Sequence, residues 1–502
     1  MINLNLEEIS FASDKRVLNL INSSDDWVSF LENNNRLEDT SDIKKIKGNA
    51  FELLTILLLI NDPVYSSKLK NVWHSSNLPF QILELLGLQK PEVGVDIIAE
   101  DNEGKFWAIQ CKFHQDTNLN ITYEEVSQFF GVTERLSTYH KLSHRIISTS
   151  SIDLSPKIEK IHKDKLGYIT YADYSDLDQD DFNNFRLLLK GETSLIEKRD
   201  PGEHQNAAIR NSYEYFVQEN NSRGKLIHPC GAGKSLTGFW IFKELQAKNA
   251  LIAVPSLFLI KQTLKEWAME STARKETFDW IVICSDEKSN DFSDEPSMRK
   301  IDLGIKVETD KEKIAEFLNN QNSKNKIVFT TYQSGQSLID GIRLANNFHF
   351  DFGVFDEAHK TAGDKNKSFA KLLQDENVVV QKRLFMTATE RVYKGDSDKI
   401  ISMDDEEVYG KVIHQLSFKS ALDQHPPVLS NYKIVTNRVS KKYIQDLINE
   451  NKVVRANNKQ WSYDADCSTF ASLISLRQLV MHENLKHVVS FHSSINRSKE
   501  FK

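Results

Sequence analysis

The chain has 502 residues, of which 40% are hydrophobic and 27% are charged, and its formal net charge is -7 at pH 7. This length is enough for about three domains of ordinary size, and the hydrophobic content excludes a wholly disordered chain. The acidic balance excludes a histone-like basic protein. It leaves nucleic-acid binding open, because a local basic groove is compatible with an acidic total.

Cysteine spacing and the longest apolar run indicate where the protein resides. Cys111, Cys230, Cys284 and Cys467 lie far apart and form neither a CxxC pair nor a Cys/His zinc pattern. Such spacing predicts reduced thiols. The N-terminus lacks a signal peptide pattern, and LLTILLLI at 53–60 is too short to cross a bilayer. We therefore expect a cytoplasmic protein with no membrane partner.

The first elements in chain order predict one compact α/β unit over residues 1–190. GNAFELLTILLLI at 48–60 has the length and leucine content of a buried helix. GVDIIAEDNEGKFWAIQCKF at 94–113 has two apolar runs joined by a polar turn, which predicts a hairpin. A helix is predicted at 122–140, and HRIISTS and LGYITYAD have the character of strands.

Beyond this unit the pattern changes to regular alternation of strand and helix. Residues 191–205 contain Gly and Pro without apolar periodicity, which predicts a linker. Over 206–425, apolar runs rich in β-branched residues each end in small or polar residues. This predicts a doubly wound parallel sheet with ligands at the carboxyl ends of its strands. Residues 426–502 are predicted to begin another domain of this kind.

HPCGAGKS at 228–235 has the composition of a phosphate-binding loop between a strand and a helix. A glycine-rich turn exposes backbone N–H groups to phosphate, a lysine adds positive charge and a serine hydroxyl can ligate Mg²⁺. The strict pattern has glycine where this chain has His228. The predicted nucleotide-binding residues here are Gly231, Ala232, Gly233, Lys234 and Ser235.

VFDEAH at 354–359 follows another apolar strand and supports the loop as an ATP site. Asp356 is placed to hold Mg²⁺ through water, Glu357 to orient and deprotonate the attacking water, and His359 to line the same site. An acidic strand end that only begins a helix is the alternative, and the joint presence of both motifs disfavours it. The predicted cofactors are ATP and Mg²⁺.

In this order the motifs resemble those of superfamily-2 DEAH-type helicases and translocases. The resemblance implies that Gln205 recognises adenine, that 254–267 and 330–334 contact DNA, and that MTAT at 386–389 couples hydrolysis to domain movement. The family has a second RecA-like domain with an arginine finger. KHVVSFHSSINRSKEF at 486–501 resembles the first strand and helix of that domain, so we expect the arginine-bearing motifs to lie outside these 502 residues.

The predicted hairpin also carries a possible catalytic set. Gln110 and Lys112 are two apart on a strand and share a face, and an adjacent antiparallel strand can bring Asp96 beside them. Asp96 and the Gln110 side-chain oxygen can ligate Mg²⁺, and Lys112 can stabilise the negative charge that phosphodiester hydrolysis adds. The alternative is a polar hairpin edge whose lysine faces solvent.

The hairpin resembles the PD-(D/E)xK nuclease motif in its Mrr-like form, in which glutamine replaces the acidic residue. That resemblance implies that Glu52 is a further ligand or orienting group, and that Gln128 lies on a helix behind the site. The two halves together resemble the N-terminal part of type ISP restriction enzymes, which are single-chain, ATP-dependent and type I-like. The family has methyltransferase and target-recognition domains, which we expect as further domains or subunits.

The function implied is an ATP-dependent restriction endonuclease and translocase that cleaves foreign duplex DNA. Two alternatives stay open from the residues alone. One is an inactive, truncated nucleic-acid-binding remnant of a helicase. The other is a helicase of DNA repair or RNA metabolism whose N-terminal domain only binds.

Overall fold

The structure of the chain is a computed structural model. It describes residues 9, 11–38, 40–88, 94–137, 142–162, 166–193, 196–284, 303–305, 307–320, 325–364, 368–393, 400–435, 440, 442, 446, 465–483, 485 and 488–490. The chain divides into two compact units, Met1–Leu429 and Ser430–Lys502. Among the described residues, no helix is long and apolar enough to cross a membrane.

The N-terminal part of the first unit is a five-stranded sheet with helices around it. Its strands are β1 (Leu69–His74), β2 (Ile97–Asp101), β3 (Phe106–Lys112), β4 (Leu142–Thr149) and β5 (Gly167–Ile169). They are ordered as numbered, antiparallel from β1 to β3 and parallel from β3 to β5. Its helices are α1 (Lys15–Asn22), α2 (Trp27–Asn35), α3 (Ser41–Asn61), α4 (Pro63–Ser66), α5 (Phe80–Leu86), α6 (Tyr123–Ser137), α7 (Pro156–His162), α8 (Tyr171–Ser175) and α9 (Gln179–Leu189).

Local sequence explains the two elements that carry the predicted catalytic residues. Helix α3 begins where the Thr40 hydroxyl accepts the N–H of Ile43. Its leucine-rich part is buried, as the sequence predicts. In the turn between β2 and β3, the Asp101 carboxylate accepts the N–H groups of Glu103 and Lys105. The predicted hairpin is therefore confirmed.

The second part of this unit is a seven-stranded parallel sheet. Its strands are β6 (Arg223–Ile227), β7 (Asn249–Val254), β8 (Asp279–Ile283), β9 (Lys326–Thr331), β10 (Phe350–Phe355), β12 (Val380–Thr387) and β14 (Lys411–Gln415), and a small pair is formed by β11 (Gly363–Asp364) and β13 (Ile400–Ile401). The helices are α10 (Glu203–Tyr213), α11 (Lys234–Glu244), α12 (Leu257–Ala273), α13 (Lys311–Asn319), α14 (Gly335–Leu344), α15 (Glu406–Tyr409) and α16 (Phe418–Asp423). A π-helical turn spans Glu214–Gln218, and 3₁₀ turns span Ser75–Asn77, Tyr332–Ser334, Ala358–Thr361 and Ser368–Leu373.

The strand order in the large sheet positions the predicted nucleotide motifs. The order is β14, β6, β12, β10, β7, β9, β8, and all of the pairings are parallel. The phosphate-binding loop follows β6, the DEAH motif follows β10 and MTAT ends β12, and these three strands are neighbours. Because the carboxyl ends of parallel strands lie at one edge, the three motifs meet there. The predicted doubly wound sheet is confirmed.

The second unit contains a helix at Ala465–Glu483. The strand and helix predicted over 486–501 lie largely outside the described residues. Helix α10 begins at Glu203, within the last residues of the predicted linker, and β14 is the last strand of the large sheet. The domain boundaries at 190, 205 and 425 stay predictions.

Candidate nuclease and nucleotide sites

Asp96 lies immediately before β2 and is held against β3 by two hydrogen bonds. Its backbone N–H donates to the carbonyl of Ile109 (3.0 Å), and its carboxylate accepts the N–H of Cys111 (2.7 Å). Cys111 stands between Gln110 and Lys112. The structure therefore brings Asp96 to the end of the strand that carries the other two predicted residues.

Gln110 stands where the nuclease motif usually has an acidic metal ligand, and its side chain is buried. It is 4% exposed, and its Oε1 has no hydrogen-bond partner among the described residues. An unpaired buried acceptor carries a free-energy cost unless a ligand satisfies it. Lys112, two residues along β3, lies on the same face and is half-buried.

Glu52 reaches the same region from α3 and is paired with a histidine that sequence reasoning missed. Its Oε2 lies 2.9 Å from Nε2 of His74, and the His74 Nδ1 lies 2.7 Å from the hydroxyl of Ser76. The N–H of Ser75 donates to the carbonyl of Asp96 (2.8 Å), which ties this corner to the hairpin. A lone histidine at a strand end belongs to no motif, so no sequence signal marked it.

Three charged groups, Glu52, Lys112 and His74, lie near enough to the Asp96 carboxyl to influence its pKa. Burial raises the pKa of the Asp96 carboxyl to about 7, and the neighbouring Glu52 carboxylate acts in the same direction. The Cys111 N–H and the charges of Lys112 and His74 oppose the increase. No three His, Cys, Asp or Glu side chains form a metal-binding group among the described residues. Asp96 and Glu52 supply carboxylate oxygens, which Mg²⁺ accepts, and the part of the Gln110 carboxamide in metal binding stays a prediction.

Gly94 fixes where the hairpin starts. Its φ is 98°, and a Cβ there would lie 2.9 Å from the backbone of Gln128 and of Phe129 on α6. Only glycine combines this conformation with so close an approach. Helix α6 therefore lies behind the hairpin, as predicted, and Gln128 contacts it through backbone while its side chain is exposed.

In the phosphate-binding loop, two glycines are required by conformation and by space. Gly231 has φ 83° and Gly233 has φ 71°, in the left-handed region. A Cβ would lie 3.1 Å from Leu429 at the first and 2.7 Å from Gln205 at the second. Ala232 between them is buried, and the buried hydroxyl of Ser235 has no hydrogen-bond partner among the described residues.

Lys234 and the DEAH motif meet at the edge of the sheet. The Lys234 Nζ lies 3.7 Å from Oε1 of Glu357, and both side chains are largely buried. His359 Nδ1 lies 3.2 Å from the other Glu357 oxygen and 3.0 Å from the Thr387 hydroxyl. His359 thereby connects the DEAH motif to MTAT at the end of β12.

The pKa values of the two acids of this motif are shifted in opposite directions. Burial raises the pKa of Asp356 to about 6, with Lys234 opposing the increase and Glu357 adding to it. At Glu357 burial also acts to raise the pKa, but the hydrogen bond from His359 and the charge of Lys234 outweigh it and lower the pKa overall. Glu357 is therefore ionised near neutral pH, as a proton acceptor must be.

Gln205 lies on α10 and holds the phosphate-binding loop. Its Oε1 accepts the N–H of Gly202 (2.9 Å), and its Nε2 donates to the carbonyl of Gly233 and to the Thr237 hydroxyl (3.2 Å each). Both ends of the carboxamide are engaged within the protein. Recognition of adenine by Gln205 stays a prediction.

Three histidines beneath the loop explain why His228 stands where glycine is usual. His228 Nε2 lies 2.8 Å from His414 Nδ1 on β14, and His204 Nε2 lies 3.1 Å from the Ala232 carbonyl. Burial, followed by the effects of His414 and His204, lowers the pKa of His228 to about 3. The neutral ring fills the space between β6 and β14. No sequence pattern assigned a role to His204, which directly precedes Gln205, or to His414.

The fold and the two sites define a class of protein: an α/β domain of PD-(D/E)xK nuclease type joined to a parallel-sheet domain of helicase type. Two family models match accordingly. An Mrr-type family described as restriction endonuclease matches residues 60–193, and a family described as type III restriction enzyme, res subunit, matches residues 198–392. The nuclease and helicase assignments made from the sequence are confirmed.

The chain is similar in structure to the ATP-dependent type ISP restriction-modification enzyme LlaBIII bound to DNA. The TM-score is 0.72 at 25% sequence identity, covering 92% of this chain and 31% of that one. It is also similar to the probable helicase A859L of African swine fever virus, at 26% identity over 342 residues in isolate Pig/Kenya/KEN-50/1950 and 23% over 339 residues in isolate Tick/Malawi/Lil 20-1/1983. These regions are 67% of this chain and 35% of each relative.

The chain thus spans about a third of the length of these relatives. It combines an Mrr-type restriction endonuclease domain with a restriction-enzyme helicase domain, and it is built like the nuclease and helicase part of a type ISP restriction enzyme.

Proposed function

We propose that this chain is the nuclease and motor module of an ATP-dependent restriction system that cleaves foreign duplex DNA. The observation that carries the proposal is the presence of both sites in one compact unit, within a chain similar over 92% of its length to LlaBIII. That enzyme is described as bound to DNA, which supports DNA as the substrate here.

In the nuclease site, Asp96, the Gln110 Oε1 and Glu52 would hold Mg²⁺. The ion would polarise the scissile phosphate and lower the pKa of the attacking water. Lys112, on the same face as Gln110, would stabilise the negative charge that develops on the phosphate. His74 keeps the Glu52 carboxylate oriented toward the site through their 2.9 Å contact. The unsatisfied Gln110 oxygen is the feature that best fits a bound cation.

In the nucleotide site, Lys234 and the backbone of Gly231, Ala232 and Gly233 bind the ATP phosphates. Ser235 and Asp356 would hold Mg²⁺, which neutralises phosphate charge. Glu357, which is ionised near neutral pH, accepts the proton of the attacking water. His359 keeps that carboxylate in place. Gln205 is proposed to recognise adenine.

The proposed partners follow from the proposed function. Duplex DNA is the substrate, and methyltransferase and target-recognition domains or subunits supply sequence specificity. A second RecA-like domain, which we propose begins within 426–502, supplies the arginine finger. We propose residues 1–190 as the nuclease domain, 191–205 as the linker and 206–425 as the first motor domain, in a cytoplasmic protein.

The test is cleavage of supercoiled plasmid DNA with and without Mg²⁺. We expect Mg²⁺-dependent cleavage that falls by about 100-fold or more in Asp96→Ala and in Lys112→Ala, because each removes a group that acts on the reacting phosphate. ATP binding by both variants should equal that of the wild type. Cleavage that survives both substitutions would remove the nuclease assignment. DNA binding without any cleavage by the wild type would instead favour a binding remnant.

A further inference from the structure

Helix α12 of the motor domain packs directly against the nuclease domain. The Nζ of Lys261 on α12 lies 2.8 Å from the Asp173 carboxylate on α8, and the Asp173 side chain is only 8% exposed. Beside this pair, Lys68 lies 2.6 Å from Asp279 at the start of β8. The nuclease domain is thus attached to the motor domain through paired charges that are largely buried.

The same helix is attached to the phosphate-binding loop. The indole Nε1 of Trp267 on α12 donates to the carbonyl of Ser235 (3.1 Å). Trp267 is fully buried, and its ring packs on Phe239 and Phe242 of α11, the helix that follows the loop. Trp267 is therefore a packed, hydrogen-bonded contact between α12 and the phosphate-binding loop.

Within the nuclease domain, Tyr174, the residue after Asp173, belongs to a cluster of three buried hydroxyl groups. The Tyr174 hydroxyl lies 2.7 Å from those of Thr55 and Ser148, and these two lie 3.1 Å apart. The Tyr174 ring packs on Trp27 and Phe51 at centroid distances of 4.9 and 5.0 Å. We refer to Thr55, Ser148 and Tyr174 as the hydroxyl cluster.

The hydroxyl cluster contacts the elements that carry the candidate nuclease residues. Thr55 is three residues after Glu52 on α3, so the two side chains are neighbours on the helix surface. The Cys111 thiol donates to the Thr55 hydroxyl (3.6 Å), and the Cys111 N–H binds Asp96. Ser148 on β4 pairs in register with Cys111. The cluster therefore adds directional hydrogen bonds to the apolar packing of α3 against β3, the elements that carry Glu52 and Cys111.

We propose that Tyr174 is a positioning residue of the nuclease site, acting through Thr55 and Cys111, and that the Asp173–Lys261 pair connects it to the nucleotide site. The inference rests on the proposed function of both sites. Nucleotide binding at the loop shifts α12 and, through Lys261 and Asp173, changes how firmly the hydroxyl cluster holds the cleavage residues.

Tyr174→Phe tests the positioning role, because it removes only the hydroxyl and keeps the ring packing. We expect the kcat for Mg²⁺-dependent DNA cleavage to fall about ten-fold or more, since small misplacements of reacting groups are costly. The KM for DNA and the ATP affinity should stay at the wild-type values. Tyr171→Phe, three residues earlier on α8, is the matched control and should cleave normally. A wild-type kcat in Tyr174→Phe, or a change in thermal stability alone, would overturn the role.

Hydrogen exchange tests the connection without requiring cleavage. A non-hydrolysable ATP analogue should slow exchange in wild-type peptides covering 106–113 and 171–175. Asp173→Asn, which removes the charge facing Lys261, should bind the analogue normally and lose that response. Asp180→Asn, an exposed acid on α9, should keep it. A wild type without the response, or an Asp173→Asn variant that retains it, would refute the connection. A wild type that cleaves no DNA would contradict the proposed function. The exchange experiment would still test whether Asp173 and Lys261 connect the nucleotide site to the hydroxyl cluster, because it does not depend on cleavage.

Discussion

The proposed nuclease and nucleotide sites each contain an aspartate whose pKa is raised by desolvation, beside a glutamate and a lysine, yet they balance these charges differently. In the nucleotide site Lys234 is buried with Glu357, 3.7 Å away, so a cation of the protein already compensates the acids. In the nuclease site Glu52 is paired with His74, and Lys112 is only half-buried. The pKa is accordingly about 7 at Asp96 and about 6 at Asp356. From the exposure of Lys112 and the pairing of Glu52 with His74, we propose that the nuclease site depends more on an external cation.

The strongest test of this comparison removes the internal cation of the nucleotide site. Lys234→Ala leaves Glu357 and Asp356 without their positive partner and deletes the charge that faces the phosphates. We expect nucleotide affinity to fall about 100-fold or more, because the ammonium proposed to pair with the phosphates is lost and two acids are left near them. Titration with a fluorescent ADP derivative measures this.

Lys243→Ala is the matched control, because Lys243 lies on the same helix α11 and pairs with Glu276 away from the loop. It should bind nucleotide like the wild type. Retained affinity in Lys234→Ala would show that the buried lysine does not compensate these acids, and would count against the phosphate-binding assignment.

A second prediction concerns the nuclease site, where the charges of the protein balance the carboxylates less completely. In His74→Ala, Glu52 loses the partner that orients it, so the Mg²⁺ concentration for half-maximal cleavage should rise about ten-fold. His74→Gln keeps an N–H donor at this position and should recover part of the difference. An unchanged Mg²⁺ requirement in His74→Ala would mean that Glu52 is oriented without His74 or does not contribute to metal binding.

The same contrast explains how much of each site the sequence predicts. The nucleotide motifs are short and follow β6, β10 and β12, which the parallel order places side by side, so local patterns and one fold rule bring them together. In the nuclease site, Asp96, Gln110 and Lys112 belong to one hairpin, so a local sequence pattern was also enough to predict that they lie together. His74 meets Glu52 from β1, and Tyr174 meets Thr55 and Ser148 from α8. Their proximity depends on how the elements pack, which no local pattern records.

The smallest expected effect is a pH dependence of stability without divalent ions. The folded-state pKa of Asp96 is about 7, against an ordinary value of 3.8. Between these values the folded protein retains a proton that the unfolded chain releases. The free energy of unfolding therefore falls as the pH rises from about 4 to about 7, and the loss is complete above that window. Asp356 acts in the same direction over a window that ends at about 6.

Thermal unfolding in EDTA checks this prediction. Asp96→Asn should raise the unfolding temperature near about pH 8 and flatten its decrease between about pH 5 and 8, because a neutral carboxamide has no buried charge to form. Asp180→Asn, at an exposed position, should follow the wild-type profile. Mg²⁺ should stabilise the wild type more than Asp96→Asn, since the cation binds the ionised carboxylate. An Asp96→Asn profile that parallels the wild type would mean that Asp96 is not the desolvated acid that separates the two sites.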